Sequence, residues 1–146
     1  MSIILETRSI SKSFGVGAAK VSAVDQISLQ IRMGEILLIM GPSGSGKTTF
    51  LSMLGGLLSA DEGEVLIDGV DITQLKPSQL PDIRAKTIGF IFQSFNLLDA
   101  LTVEENILFP ASLLDEKTDS VRQRCGELIR KLGLQDRRKA LPQTLS

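Results

Sequence analysis

The stretch that decides the fold occupies residues 41–49 and reads Gly41-Pro42-Ser43-Gly44-Ser45-Gly46-Lys47-Thr48-Thr49. It matches G-x-x-x-x-G-K-[ST], the pattern of a loop whose backbone N–H groups surround phosphate oxygens, provided that a strand precedes it and a helix follows. The unbroken apolar run Ile36–Met40 precedes the loop and predicts a central strand covered on both faces. Apolar residues recur at helical spacing over 50–54 until Gly55-Gly56, so we expect the order strand, loop, helix.

The residue types in this loop predict a site for a nucleoside triphosphate with Mg²⁺. Glycines let the backbone approach a phosphate closely, and the positive end of the following helix favours an anion. Lys47 adds a full positive charge at the β- and γ-phosphates, and the Thr48 hydroxyl is placed to bind Mg²⁺ between them. All residues from 41 to 49 are therefore candidate nucleotide-binding residues, with Lys47 also catalytic and Thr48 a metal ligand.

Composition excludes several other classes of function. The 146 residues carry 16 basic and 17 acidic side chains, and a net charge of -1 does not favour a nucleic-acid partner. The chain has no histidine and a single cysteine, Cys125, which excludes a histidine-based triad, a Cys/His zinc cluster and an intrachain disulfide. The N-terminus lacks a basic, signal-like region, and no apolar run approaches the ~20 residues that span a bilayer. We expect a cytoplasmic chain.

The remaining pattern predicts strands, helices and one hairpin outside the loop. The Asp68-Gly69 pair lies between two short apolar stretches and predicts the turn of a hairpin. The alternative, that Asp68 is a magnesium-binding carboxylate at a strand end, is disfavoured because no second acid follows it. A T-x-x-E capping box at Thr102 opens a helix that we expect Pro110 to interrupt. The other expected elements are strands over 3–14, 24–31 and 88–92, a hairpin over 65–72, and helices over 78–85 and 119–132.

Residues 115–146 carry eight basic and five acidic groups. This excess of positive charge fits a docking surface, and it also fits the ordinary solvated face of an amphipathic helix. Amphipathic helices commonly look like this, so the solvated face is the simpler interpretation.

Four segments in order carry a resemblance to a known family. GPSGSGKTT, FLSMLGGLLSADEGEVLIDGVDI, IGFIFQSFNLLDALTVEENI and LPQTLS together resemble the ATP-binding subunit of an ATP-binding cassette (ABC) transporter, most of all the lipoprotein-release and macrolide-exporter type. The resemblance implies the N-terminal portion of an α/β P-loop NTPase, with an antiparallel β subdomain and the start of a helical subdomain. It places the nucleotide-binding core and β subdomain in residues 1–92, and the Q-loop and helical subdomain in residues 93–146.

The resemblance also implies roles for two residues outside the loop. Phe14 stands where the family has an aromatic residue, more often Tyr, that stacks on adenine; the alternative is a Phe in the core of a strand. Gln93 matches the Q-loop glutamine, whose amide reaches Mg²⁺ or the attacking water, so it is a candidate catalytic residue and metal ligand; the alternative is an ordinary surface glutamine. The implied cofactors are ATP and Mg²⁺.

The segment Leu141–Ser146 matches the family up to the first two letters of its signature motif L-S-G-G-Q. The resemblance implies that the rest of the signature, the catalytic glutamate and the switch histidine are missing, so we expect this chain alone to hydrolyse little or no ATP. The implied function is to couple ATP to a transmembrane permease at the cytoplasmic face of the membrane, with a second ATPase subunit. The alternative is a non-catalytic nucleotide-binding or decoy module from a truncated reading frame. A GTPase or small-molecule kinase is disfavoured because no N-K-x-D run is present and the downstream motifs match the ABC pattern.

Overall fold

The two segments near the N-terminus in which polar and apolar residues alternate form a long antiparallel pair of strands. The computed structural model describes residues 2–113 and 119–145. In it β1 spans Ile3–Phe14 and β2 spans Val21–Arg32, which confirms the two strands expected there. β3 (Glu62–Ile67) and β4 (Val70–Asp71) complete a four-stranded antiparallel sheet in the order β2-β1-β3-β4.

The predicted hairpin joins β3 to β4. Asp68 and Gly69 both have positive φ, 48° and 78°, which is the backbone of the tight two-residue turn that matches the twist of paired strands. Ile67 pairs with Val70 directly across this turn. Asp68 is therefore a turn residue, as expected from the sequence.

Helix α1 (Lys47–Leu54) supplies one side of the core, and the sheet supplies the other. Its buried residues Phe50, Met53 and Leu54 join Ile10 of β1 and Val24 of β2 in a single apolar cluster. The helix ends as predicted at Gly55-Gly56, where the Gly55 N–H donates to the Leu51 carbonyl. The predicted short helix over 78–85 is observed as α2, Leu80–Thr87.

Two predicted strands are wrong. Residues 36–40 and 88–92 join no strand ladder in the described ranges, and Ile36 and Ile91 are 94% and 98% exposed. A strand exists only where its N–H and C=O groups pair with a neighbour, whatever the apolar content of its side chains. The sheet is built from other segments, so these two apolar runs lack the pairing that the prediction assumed.

Contacts divide the chain into two units, Met1–Gly89 and Phe90–Ser146. The second contains α3 (Val103–Leu113) and α4 (Asp119–Lys131). The capping box is confirmed, because the Thr102 N–H donates to the Glu105 carboxylate at 2.8 Å and the Glu105 N–H donates to the Thr102 hydroxyl at 3.3 Å. Helix α3 continues through Pro110, so the expected interruption is wrong: proline forfeits only its own N–H bond, and the turns on either side hold.

Helix α4 ends at Lys131, and Gly133, where the stop was expected, lies in the turn that follows with a φ of 68°. The buried side chains of α4 include Cys125 and Ile129. Burial, followed by the nearby Glu104 carboxylate, raises the pKa of the Cys125 thiol. Between residues 2 and 113 and between 119 and 145, no helix combines the length and apolar character needed to cross a bilayer.

The Thr7 side chain joins β1 to β2 where the register between them shifts. Thr7 pairs with Leu29 and Ile10 with Ile27, so the ladder slips by one residue between these pairs. The Thr7 hydroxyl accepts from the Leu29 N–H at 3.0 Å and donates to the Ile27 carbonyl at 3.2 Å. Because Thr7 is only 2% exposed, water cannot easily replace these bonds.

Thr7→Val is expected to lower the free energy of unfolding by about 1–3 kcal/mol, because it leaves a backbone donor and acceptor without their partner. Thr7→Ser keeps the hydroxyl and loses only a methyl group, so it should cost about 1 kcal/mol. Urea unfolding followed by circular dichroism measures both. A larger loss in the serine variant than in the valine variant would contradict this role.

The start of α3 is tied to the segment after α4 by Glu104 and Arg138. The Arg138 guanidinium donates to both Glu104 carboxylate oxygens, at 2.7 Å for the Nε contact, and the Glu104 N–H donates to the Arg138 carbonyl. These bonds to Arg138 lower the pKa of Glu104. A lowered pKa in the folded state means that the stabilisation is present above the ordinary carboxyl pKa of about 4.3 and is lost as the pH falls below it.

Glu104→Gln is therefore expected to lower stability at pH 7 by about 0.5–1 kcal/mol and to flatten the decline in stability as the pH falls below about 4. Denaturant titrations from pH 3 to pH 7 measure the difference. Glu127→Gln is the matched control, since Glu127 contacts Arg124 only at 3.6 Å on an exposed helix face. An unchanged pH profile in Glu104→Gln would contradict the prediction.

Candidate functional site

The last residue of the loop before α1 lies directly against the backbone of β2. Gly46 is the residue before the helix and has a φ of 84°. A Cβ atom at Gly46 would lie 1.9 Å from the carbonyl oxygen of Ala23, which is closer than real atoms approach. Only glycine fits this position, and the contact fixes the height of the loop above the strand.

Lys47 curls back into the loop that precedes it. Its ammonium donates to the carbonyl oxygens of Gly41 at 2.9 Å and Pro42 at 2.6 Å, and lies 3.3 Å from the Ser45 hydroxyl. The first-turn N–H groups of α1 have no acceptor within the helix, which leaves them directed toward the same loop. A cation and a set of free backbone donors are thus concentrated at one helix end.

Phe14 and the loop line one concavity of about 290 Å³. Phe14 is 47% exposed, unlike the core residues of the sheet, so its ring is accessible from this concavity. The lining residues are Phe14, Ala23, Ser43, Gly44, Ser45, Gly46, Lys47, Thr48 and Thr49. The structure therefore brings together the aromatic residue and most of the loop residues singled out from the sequence.

Gln93 belongs to the second unit and not to the group that lines the concavity. It is exposed and lies in a turn after residues 88–92, where the Phe95 N–H donates to the Phe92 carbonyl. Phe95 and Asn96 have positive φ, 59° and 50°, which gives this turn its sharp bend. The predicted role of Gln93 stays a prediction.

The residues present fit a triphosphate with Mg²⁺ better than a metal held by protein alone. Among the described residues, no group of three or more His, Cys, Asp and Glu side chains is arranged to hold a metal ion. Thr48 is exposed at the first turn of α1, where its hydroxyl offers a single oxygen. Mg²⁺ commonly uses one or two protein oxygens together with substrate phosphates and water, so one hydroxyl is a suitable contribution.

Ala23 was not singled out from the sequence, although its carbonyl oxygen lies against Gly46. The contact is made by the backbone, so residue type gives no signal of it. Lys12 and Asp61 were not singled out either; the Lys12 ammonium lies 5.9 Å from the centre of the Phe14 ring and contacts the Asp61 carboxylate at 2.6 Å. Their signal lies in strand pairing and not in any local motif.

Comparison with known proteins identifies the family. The family model described as ABC transporter matches residues 24–146. This chain belongs to the ABC transporter family, and its fold is that of the α/β P-loop NTPases, as predicted.

Individual relatives include transporters of both directions. The chain is 39% identical to the macrolide export ATP-binding/permease protein MacB of Mannheimia succiniciproducens, over 98% of this chain and 22% of the relative. It is 43% identical to the methionine import ATP-binding protein MetN of Carboxydothermus hydrogenoformans, over 89% of this chain and 38% of the relative. A dimeric structure of the ATP-binding cassette MJ0796, bound to ADP and Pi, superposes with a TM-score of 0.87 at 34% identity, over 98% of this chain and 63% of that chain. The chain thus spans less than two thirds of the length of each.

Gly46→Ala is expected to destabilise the first unit by about 1–3 kcal/mol more than Gly44→Ala does. Both glycines have φ above 80°, so alanine is strained at either position, but a Cβ at Gly44 meets nothing within 4 Å whereas one at Gly46 meets the Ala23 backbone. Thermal unfolding of the two variants makes the comparison. Equal melting temperatures would show that the contact with β2 does not constrain the loop.

Proposed function

We propose that this chain binds Mg-ATP in the concavity next to Phe14 and acts as the ATP-binding part of a transport ATPase. One observation carries the proposal: an exposed aromatic ring and a phosphate-binding loop line the same concavity. An apolar face for a base and a cationic, donor-rich loop for phosphates are the two halves of a nucleotide site. The family assignment supports the same ligand.

Each part of the loop has a distinct task in this proposal. The N–H groups at the start of α1 and in the preceding loop bind the phosphate oxygens. Lys47 exchanges its contacts with Gly41 and Pro42 for the β- and γ-phosphates, which are stronger acceptors because they are charged. Thr48 would hold Mg²⁺ through its hydroxyl oxygen, and the ion would neutralise phosphate charge. Phe14 stacks on the adenine.

For Gln93 we propose the role that its resemblance to the Q-loop glutamine implies. Its side-chain amide offers an oxygen to Mg²⁺ and can orient an attacking water. Gln93 lies in a sharp, exposed turn, so its amide is accessible to a ligand.

In the whole protein we propose that ATP binding and hydrolysis drive a membrane permease, with this region peripheral at the cytoplasmic face and paired with a second ATPase subunit. The similarity to a cassette observed as a dimer supports the pairing. We favour an export or lipoprotein-release type of system, which the similarity to MacB supports. The name of MetN points instead to import, and sequencing the neighbouring permease gene tests the choice. A permease with few membrane spans and a large periplasmic domain would support export. A permease with many spans, beside a gene for a substrate-binding protein, would contradict it.

Lys47→Ala is expected to weaken Mg-ATP binding by about 10- to 100-fold, because it removes a charge-assisted contact to the phosphates. Isothermal titration calorimetry measures the affinity, and circular dichroism checks that the fold is retained. Lys86→Ala is the control, since Lys86 lies exposed on α2 away from the concavity residues. Undiminished Mg-ATP binding by Lys47→Ala would refute the assignment.

A further inference from the structure

Asp61 continues the pairing of β1 with β3 beyond the last residue pair of the ladder. That pair is Ser11 with Glu62. Just before it, the Asp61 N–H donates to the Ser11 carbonyl at 2.9 Å, and the Asp61 carboxylate accepts from the Ser13 N–H at 2.8 Å and from the Lys12 ammonium at 2.6 Å. Asp61 thereby hydrogen-bonds to three consecutive residues of β1, 11–13, and Phe14 is the next residue in the strand.

Lys12 contacts Asp61 and the Phe14 ring at the same time. Its ammonium lies 5.9 Å from the centre of the ring, within the range of a cation–π interaction. Only 13% of the Lys12 side chain is exposed, so the ammonium is held between the carboxylate and the ring and does not extend freely into water. Phe14, by contrast, remains 47% exposed and lines the concavity.

We propose that Lys12 and Asp61 form a positioning pair that sets the Phe14 ring for the base of the bound nucleotide. The inference rests on the proposed function and adds two residues to it that do not touch the nucleotide. Asp61 fixes the backbone before Phe14, and Lys12 occupies one side of the ring.

Two physical effects make this arrangement useful for binding. An exposed ring at a strand end loses conformational freedom when a base stacks on it, and a ring already held in place loses less. A cation over one face also draws electron density toward itself, so the opposite face becomes a better partner for an electron-rich purine. Both effects act on the base and neither acts on the phosphates.

The alternative is a purely structural link between β1 and β3. The chain offers a matched control for it, because Arg8 and Glu64 are paired in the same ladder and their side chains are joined at 2.9 Å. Neither residue lines the concavity. A structural link alone would make the two ion pairs equivalent in their effect on nucleotide binding.

The test compares a ligand that has a base with one that lacks it. Lys12→Met, Asp61→Asn and Arg8→Met are titrated by calorimetry with Mg-ATP and with Mg-tripolyphosphate. Lys12→Met and Asp61→Asn should each weaken Mg-ATP binding by about 3- to 10-fold while leaving tripolyphosphate affinity within about twofold. Arg8→Met should leave both affinities unchanged, and Lys12→Arg should restore ATP binding because guanidinium also interacts with aromatic faces. Melting temperatures check that each variant is folded.

A double-mutant cycle with Phe14→Ala shows whether Lys12 affects ATP affinity through the Phe14 ring. If Lys12 acts through the ring, Lys12→Met adds no further loss once Phe14 is removed. Unchanged ATP affinity in Lys12→Met, or an equal loss for both ligands, would overturn the positioning role while Phe14→Ala and Lys47→Ala still weaken ATP binding. If neither Phe14→Ala nor Lys47→Ala weakens ATP binding, the proposed nucleotide site itself is rejected.

Discussion

The approach of Gly46 to the Ala23 carbonyl is the constraint on which the candidate site depends. It brings the loop down onto β2, so the first turn of α1 begins at a fixed height above the sheet. The buried residues Phe50, Met53 and Leu54 then hold the rest of the helix against the same sheet. The loop is exposed and glycine-rich, yet the end that leads into α1 is anchored by the close approach of Gly46 to the Ala23 backbone and by core packing of the helix. This anchoring allows an exposed loop to present donors in a defined arrangement.

The antiparallel sheet contributes the second half of the site. β1 carries Phe14 at its last position, and its partner β2 carries Ala23 beneath the loop, so one hairpin supports both sides of the concavity. The sheet also accommodates irregularities, since the slip between Thr7 and Ile10 is bridged by a buried hydroxyl. Asp61 performs a comparable task at the other edge of β1. The Thr7 hydroxyl replaces ladder hydrogen bonds at a register shift, and the Asp61 carboxylate does so beyond the end of the β1–β3 ladder.

Local signals in the sequence predicted the elements whose hydrogen bonds are local. The Asp68-Gly69 turn, the Thr102 capping box and the end of α4 near Gly133 all depend on residues within a few positions of each other, and all are observed. The strands expected at residues 36–40 and 88–92 depend on distant partners, and apolar content alone cannot say whether a partner is present. The site divides in the same way: residues 41–49 form a local motif, whereas Lys12 and Asp61 meet only because β1 pairs with β3.

The buried thiol of Cys125 has a practical consequence for following the second unit. The chain contains neither tryptophan nor tyrosine, so intrinsic fluorescence gives almost no report of folding. Cys125 is the only cysteine, it is 3% exposed, and burial raises the pKa of its thiol, which lowers its reactivity. An alkylating reagent therefore reacts slowly with this thiol while the structure around it stays closed. The rate of its labelling therefore reports how often the surroundings of Cys125 open, because the chain has no second thiol to compete.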